Sequence, residues 1–364
     1  MSEFAKLNSR WPKILMGLAV AAAAGFLFSW LRTPLPWMIG PLVSLGIANL
    51  CGLGLDILPY GRQAGQLCIG TSVGLYFTPP VLAALLGSAG WILGGGTAVM
   101  LIAACSGLLL SKISGIDRTS CFFATVPGGA AEMTILAQRY GGSIPAVAIA
   151  QSVRVALLVL IIPTVLTYAG FAAIDREAAR VVHAVVPGGL VMLLSLSALA
   201  ACGFMLFKLQ NPWMMGPLIA SAALTACGLD LSGVPREMSN AGQMLLGAAL
   251  GSRFEREFFL RNRFFIPFAL LNAGFLIIAC AALAFAFAWL SGLALDTLMV
   301  GLAPGGIAEM SITAQALNLG VATVTAFQFV RIVLANFASP ILFRLMQKIG
   351  GGESSGGNNA PGAG

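Results

Sequence analysis

Charged side chains are rare in this sequence, at 9% of 364 residues, where a soluble domain carries roughly a quarter. None occurs between Gln63 and Ser111 or between Phe264 and Leu295, and either stretch exceeds the ~20 apolar residues that a spanning helix needs. With 58% hydrophobic residues, the apolar surface is more than one soluble core can hide, so a bilayer is the expected solvent. Histidine occurs once, at His183; it reads as a structural or interfacial residue, and a copper or iron centre would lack ligands. The seven cysteines, Cys51, Cys68, Cys105, Cys121, Cys202, Cys227 and Cys280, have no close pair. They read as small buried hydrophobes, neither a disulfide framework nor a zinc site. No metal, no cofactor and no catalytic residue is expected.

Glycine and proline are abundant instead, at 44 and 18 residues. Membrane bundles tolerate both, because neighbouring helices re-satisfy freed backbone groups, so broken helices are expected. The net charge of +7 comes mostly from Arg in connecting loops, which sets orientation and points to no nucleic-acid partner. The first apolar segment, Ile14 to Leu31, follows Lys6, Arg10 and Lys13 without a small-residue cleavage site and reads as a retained helix, not a signal peptide.

The most specific signal is an internal duplication. Pro36-Trp37-Met38-Ile39-Gly40-Pro41 returns as Pro212-Trp213-Met214-Met215-Gly216-Pro217, 176 positions on. At an offset of 177, Gly65-Gln66 matches Gly242-Gln243, and Pro127-Gly128-Gly129-Ala130-Ala131-Glu132-Met133 matches Pro304-Gly305-Gly306-Ile307-Ala308-Glu309-Met310. Gln138 matches Gln315, Gln151 and Arg154 match Gln328 and Arg331, and Pro163 matches Pro340. Each half holds six apolar segments, at 12–31, 35–52, 63–80, 90–111, 119–138 and 143–172, then at 181–207, 213–229, 240–253, 264–290, 297–317 and 321–345. The fold expected is an all-α polytopic membrane protein of two homologous halves.

Loop charges choose between parallel and inverted halves. If the Pro-Gly-Gly segment of each half enters and leaves on one side, five segments cross and the halves are inverted. Fourteen basic residues from Lys6 to Lys348 then fall inside, and only Arg32, Arg176, Arg180 and Arg236 outside. Six crossings would put Arg139, Lys208 and the cluster from Arg253 to Arg263 outside, a poorer fit to the positive-inside bias. Inverted repeats with broken or re-entrant Pro-Gly-Gly helices are therefore expected.

Four charges lie inside apolar segments: Glu132, Arg154, Glu309 and Arg331, each acid 22 residues ahead of its Arg. Each costs at least ~2.5 kcal/mol at a helix centre, so each calls for a partner or a function. Pro127, Gly128, Gly129 and Pro304, Gly305, Gly306 should break a helix and restart it, leaving free amides that attract anions. Gln151 and Arg154 share a helix face; with Gln138, and with Gln315, Gln328 and Arg331 in the second half, they are candidates to line a polar cavity. The bland alternative makes Glu132 with Arg154, and Glu309 with Arg331, structural ion pairs, each Glu capping its broken helix. Gly40-Pro41, Gly216-Pro217, Pro163 and Pro340 read as kinks and close contacts, and Trp37 and Trp213 as interfacial anchors.

These paired motifs resemble the AbrB duplication family of bacterial membrane proteins, from about residue 12 to 346. Its members are often labelled ammonia monooxygenase or regulator of gene expression, and neither label follows from these residues. The family is similar to cation/proton antiporters and bile-acid-type symporters, which implies inverted five-helix repeats and secondary transport. The paired Asp of sodium/proton exchangers is absent, which argues against simple cation exchange.

The expected organisation is an N-terminal cytoplasmic segment at 1–11, membrane repeats at 12–174 and 175–348, and a disordered tail at 349–364, in the cell inner membrane. The function expected is proton-coupled secondary transport of a small solute, an organic anion. Glu132 and Glu309 would be the protonatable groups, and Arg154 and Arg331 ion-pair partners or anion clamps. Partners are membrane lipid and the solute, with no nucleic acid; a homo-oligomer is left open. The competing readings are a membrane-bound oxygenase, which would hold copper or iron, and a membrane protein acting on gene expression indirectly, which would need a cytosolic partner.

Overall fold

A computed structural model describes residues 3–170 and 184–350 of the backbone and the side chains of 10–170 and 184–345. His183, Arg176, Arg180 and the tail beyond 350 lie outside the described residues. Among the described residues there are sixteen helices and no strand. The first half contains α1 (Glu3–Trp30), α2 (Pro36–Leu50), α3 (Gly61–Gly74), α4 (Pro79–Gly87), α5 (Ala89–Ser114), α6 (Arg118–Thr125), α7 (Ala130–Arg139) and α8 (Ile144–Tyr168). The second repeats the order with α9 (Pro187–Leu206), α10 (Pro212–Ala226), α11 (Arg236–Gly251), α12 (Arg256–Arg261), α13 (Ile266–Ser291), α14 (Leu295–Gly301), α15 (Ile307–Ala316) and α16 (Val321–Gly350).

Among the described residues six stretches are long and apolar enough to cross a membrane: Arg10–Trp30, Ala89–Ser114, Ile144–Tyr168, Pro187–Leu206, Ile266–Ser291 and Val321–Leu345. The duplicated Pro-Trp-Met and Gly-Gln motifs sit on shorter helices, α2, α3, α10 and α11. Each of these four also traverses the molecule. α2 starts where α1 ends, and the loop after it returns to the foot of α1, where Arg10 forms an ion pair with Asp56. The loop after α10 likewise returns to the start of α9, where Val186 N–H donates to Ser232 Oγ at 3.0 Å. α3 runs beside α10 in the same direction: a Cβ on Gly70 would lie 2.6 Å from the Met214 carbonyl, and one on Gly74 2.6 Å from that of Leu218. Close backbone approach of this kind needs small residues.

The halves are inverted, because equivalent helices run antiparallel. On α5 and α13, Ser106 Oγ donates to Asn272 Oδ1 at 2.8 Å, and Trp91 meets Phe287 edge-on at 5.7 Å. On α3 and α11, Gly61 faces Leu245 while Cys68 and Ile69 face Gly242. Both Pro-Gly-Gly segments are re-entrant hairpins. Ser143, just after α7, donates its N–H to Ser120 Oγ at the start of α6. Gly320, just after α15, donates to Thr297 Oγ1 at the start of α14, at 3.3 Å. Entry and exit of each hairpin therefore share one end.

The helices gather into two bundles, each taking the same elements from both halves. One contains α1, α2, α3, α9, α10 and α11; the other contains α5 to α8 and α13 to α16. They meet along a seam where α15 and α16 touch α3 and where α8 touches α2, and buried apolar residues of both bundles, among them Met38, Ile69, Val159 and Met310, form one core across it. The short helices α4 and α12 link them. α3 and α4 meet at 87°, so α4 lies across the end of the bundle and does not prolong α3. α4 falls largely between the apolar segments at 63–80 and 90–111, and α12 in the charged stretch between those at 240–253 and 264–290, so neither was expected as a helix. The cysteine expectation is corrected: Cys51, Cys105, Cys202 and Cys227 are exposed, and only Cys121 and Cys280 are buried. A small apolar thiol is as much at home against lipid tails as in a core.

Candidate functional site

Each hairpin breaks because its sequence cannot continue a helix. Pro127 and Pro304 bring no amide donor, and the two glycines after each let the chain turn before α7 and α15 start. Breaking a helix inside the protein orphans carbonyls on one side and amides on the other. The orphaned carbonyls are taken by the long helix that follows. Gln151 Nε2 donates to the carbonyls of Phe123 and Val126, both at 2.9 Å, and Arg154 Nη1 to that of Thr125 at 2.9 Å. Arg154 Nη2 also holds Gln151 Oε1 at 2.7 Å. In the second half Gln328 Nε2 donates to Val300 and Gly301 at 3.0 Å and to Ala303 at 3.1 Å. Arg331 donates to the carbonyls of Ala303 and Gly305. The repeated Gln-x-x-Arg is thus a cap for α6 and α14, its positive charge set against the negative end of each helix dipole. All four side chains are buried, Arg154 at 2% and Arg331 at 1% exposure.

The ion pairs weighed as an alternative do not form. Among the described residues neither Glu132 nor Glu309 lies in a salt bridge; the pair that does form is Arg10 with Asp56. Each Glu instead folds back over the start of its own helix, its Oε2 filling the space where a Cβ on Gly129 or Gly306 would stand. Both carboxylates are half-buried and lie in the first turn, where a negative charge is favoured.

The two helix starts, from halves of opposite direction, meet in one cavity of about 290 Å³. Gly128, Gly129, Glu132, Gly305, Gly306 and Glu309 line it, as do Gln151 and Arg154. From there it runs to the exposed Arg62 and Gln210 at the arginine-rich face. Arg331 and Gln328 stand behind its wall. Burial, with Arg62 nearby, holds the Arg253 guanidinium below its ordinary value, at about 10, against the opposing pull of Glu309.

A second, larger recess of about 980 Å³ occupies the opposite face, lined by Trp37, Ser72, Tyr76, Arg236, Gln243 and Gln315 among others. It is the repeat counterpart of the first, yet no residue of either Pro-Gly-Gly break lines it. It ends at Gln315, whose Nε2 donates to Ser72 Oγ at 2.9 Å. α15 packs against α3 there, whereas α7 and α11, the equivalent pair, have no comparable contact. Gln138, the counterpart of Gln315, is exposed. The two glutamines therefore do not share a cavity.

Sequence reasoning left out Arg62, Arg253, Gln66, Asn211 and Trp213, which also line the inner cavity; Gln66 Nε2 donates to Asn211 Oδ1 at 3.0 Å. The two arginines had been counted only as loop charges. Gln66 carried a signal, since it recurs as Gln243, but a polar side chain on a glycine-rich helix shows no direction until its neighbours are placed. Trp37 and Trp213, expected as interfacial anchors, line the walls of the two recesses.

Fold and site together define a duplicated, polytopic helical membrane protein with one cavity at the meeting point of its inverted hairpins. By sequence the chain belongs to the AbrB family: the family described as "Transition state regulatory protein AbrB" matches residues 37–347. It is 29% identical to "Uncharacterized protein YhjN" of Bacillus subtilis (strain 168), over 95% of this chain and 96% of that relative. It is 25% identical to "Putative regulator AbrB" of Escherichia coli (strain K12), over 92% of this chain and 95% of that one.

Proposed function

We propose that the protein is a secondary transporter of the cytoplasmic membrane that couples protons to the movement of a small organic anion. The observation that carries this reading is the unequal depth of two repeat-related recesses. The one on the arginine-rich face reaches both hairpin breaks, and the one opposite stops short at Gln315. A carrier needs a central site open to one side at a time, and broken helices at a repeat interface are where such sites lie.

Glu132 and Glu309 supply the coupling. Deprotonated, each carboxylate occupies the start of its own helix and serves as a built-in anion. Protonated, it leaves the free amides and the positive dipole end to a substrate carboxylate, an interaction of up to ~2 kcal/mol per helix end in partly buried geometry. Proton and anion then bind together and travel together. This replaces the role first expected of Arg154 and Arg331, whose terminal nitrogens are occupied with carbonyl oxygens. The arginines that can meet an arriving anion are Arg62 and Arg253. The regulatory wording in the family description fits an indirect effect of the solute moved.

The test is flux in proteoliposomes against pooled organic acids, amino acids and ammonium, comparing wild type with Glu132→Gln and Glu309→Gln. Expected is uptake of an organic acid that rises as the medium is acidified, with that pH dependence lost in folded Gln variants. No flux with any pool, or unchanged pH dependence in both variants, overturns the reading.

A further inference from the structure

An apolar groove of about 550 Å³ lies where α2 of one bundle faces α8 and α13 of the other. Leu42, Ile47, Leu157 and Leu160 form its walls, and α12 closes one end with Phe259. Only two charged residues line it, Arg256 and Arg263, both at that end and both exposed. Arg256 reaches beside Gly52, at the foot of α2, and Arg263 lies over the Phe264 ring at 4.9 Å. Glu255 and Glu257 are exposed on the same short helix but do not line the groove. The repeat counterpart of α12, α4, carries no charge.

An apolar channel with two cations at its interfacial end matches one class of ligand. We propose that this groove binds an anionic phospholipid of the leaflet on the arginine-rich face, one acyl chain between α2, α8 and α13 and the phosphate between Arg256 and Arg263. Charge complementarity selects the lipid, since the cytoplasmic leaflet is anionic and each basic residue at its surface strengthens binding. Apart from the two arginines, every side chain lining the groove is aliphatic or aromatic, so a soluble anion would gain nothing from it. Because the groove spans the seam, the lipid touches both bundles.

The full-length protein, purified in detergent and mixed with phosphatidylglycerol or phosphatidylcholine, would be examined by native mass spectrometry. Wild type should retain phosphatidylglycerol in preference. Arg256→Gln and Arg263→Gln should each weaken that retention about five-fold, in protein that stays monodisperse. Arg261→Gln, on the same helix but off the groove, should change little. Gly46→Leu should exclude the lipid with both arginines intact, since a Cβ there meets only Phe254, at 3.9 Å, and the added side chain fills the groove. Equal retention of both lipids by wild type overturns the proposal. So does preference surviving loss of both arginines, an Arg261→Gln effect as large as theirs, or retention in Gly46→Leu.

Discussion

At Gly129 and Gly306 the absence of a side chain is what lets Glu132 and Glu309 lie over their own helix starts. Both glycines have ordinary extended dihedrals, φ −65° and −90°, so alanine is tolerated by the backbone and collides only with the mobile end of the carboxylate. Gly129→Ala and Gly306→Ala should therefore fold with unchanged thermal stability while shifting the pH dependence of flux; an unshifted profile would separate the carboxylates from coupling. Arg154→Gln and Arg331→Gln should behave in the opposite way. Each removes a donor from buried carbonyls, at a cost of about 1–3 kcal/mol for an unsatisfied group, visible as a lower melting temperature. Lysine should not rescue them, because a single ammonium cannot replace the planar fork that spans the Ala303 and Gly305 carbonyls in one case and the Thr125 carbonyl and Gln151 Oε1 in the other. These eight positions, two Glu, two Arg, two Gln and two Gly, were legible in the sequence because insertion cost and duplication single them out. Their partners were not, since whether an arginine holds a carboxylate, a substrate or a backbone carbonyl depends on where the chain breaks in space.

Elements were legible to the extent that apolar length and loop charge determine them. The long spans follow from apolar length and the same-side hairpins from charge asymmetry, with which the contacts of Ser120 with Ser143 and of Thr297 with Gly320 agree. The short helices α4 and α12 were not legible: α4 turns 87° away from α3 within apolar sequence, and α12 lies in the charged stretch from Arg253 to Arg263, which reads as a loop. Nor was the depth at which α2 meets α11 and α3 meets α10, which rests on single glycines. A Cβ on Gly247 would strike the Met38 carbonyl, and one on Gly251 would lie 2.7 Å from that of Leu42. Backbone cannot swing aside as a side chain can. Gly247→Ala should cost about 1–3 kcal/mol by overpacking, measured as a fall in melting temperature, in contrast to Gly129→Ala. If the two alanines destabilise equally, the distinction between backbone and side-chain obstacles is wrong here.

For the whole molecule, the two bundles built from both halves share an apolar seam, from Met38, Ile69 and Met214 on one side to Val159, Ile307 and Met310 on the other, and non-directional apolar contacts of this kind let one bundle slide on the other. Inversion supplies the second position: the contact that closes one face, Gln315 with Ser72, has a counterpart on the other face in Gln138 and Ala249, which is open. Exchange of the two would shut the inner cavity and open the outer recess onto the hairpins. Bridging the seam should stop that exchange. In a background freed of its seven cysteines, Ser72→Cys with Gln315→Cys joined by a short thiol-specific crosslinker should abolish flux, and cleavage of the linker should restore it. A cysteine replacing Ala131, in the inner cavity, should still be labelled from the arginine-rich face while the bridge holds. Arg10→Cys with Asp56→Cys, bridged within a single bundle, should leave flux intact. Full flux through the seam-bridged protein would mean that the bundles do not move, and the unequal recesses would then need another explanation.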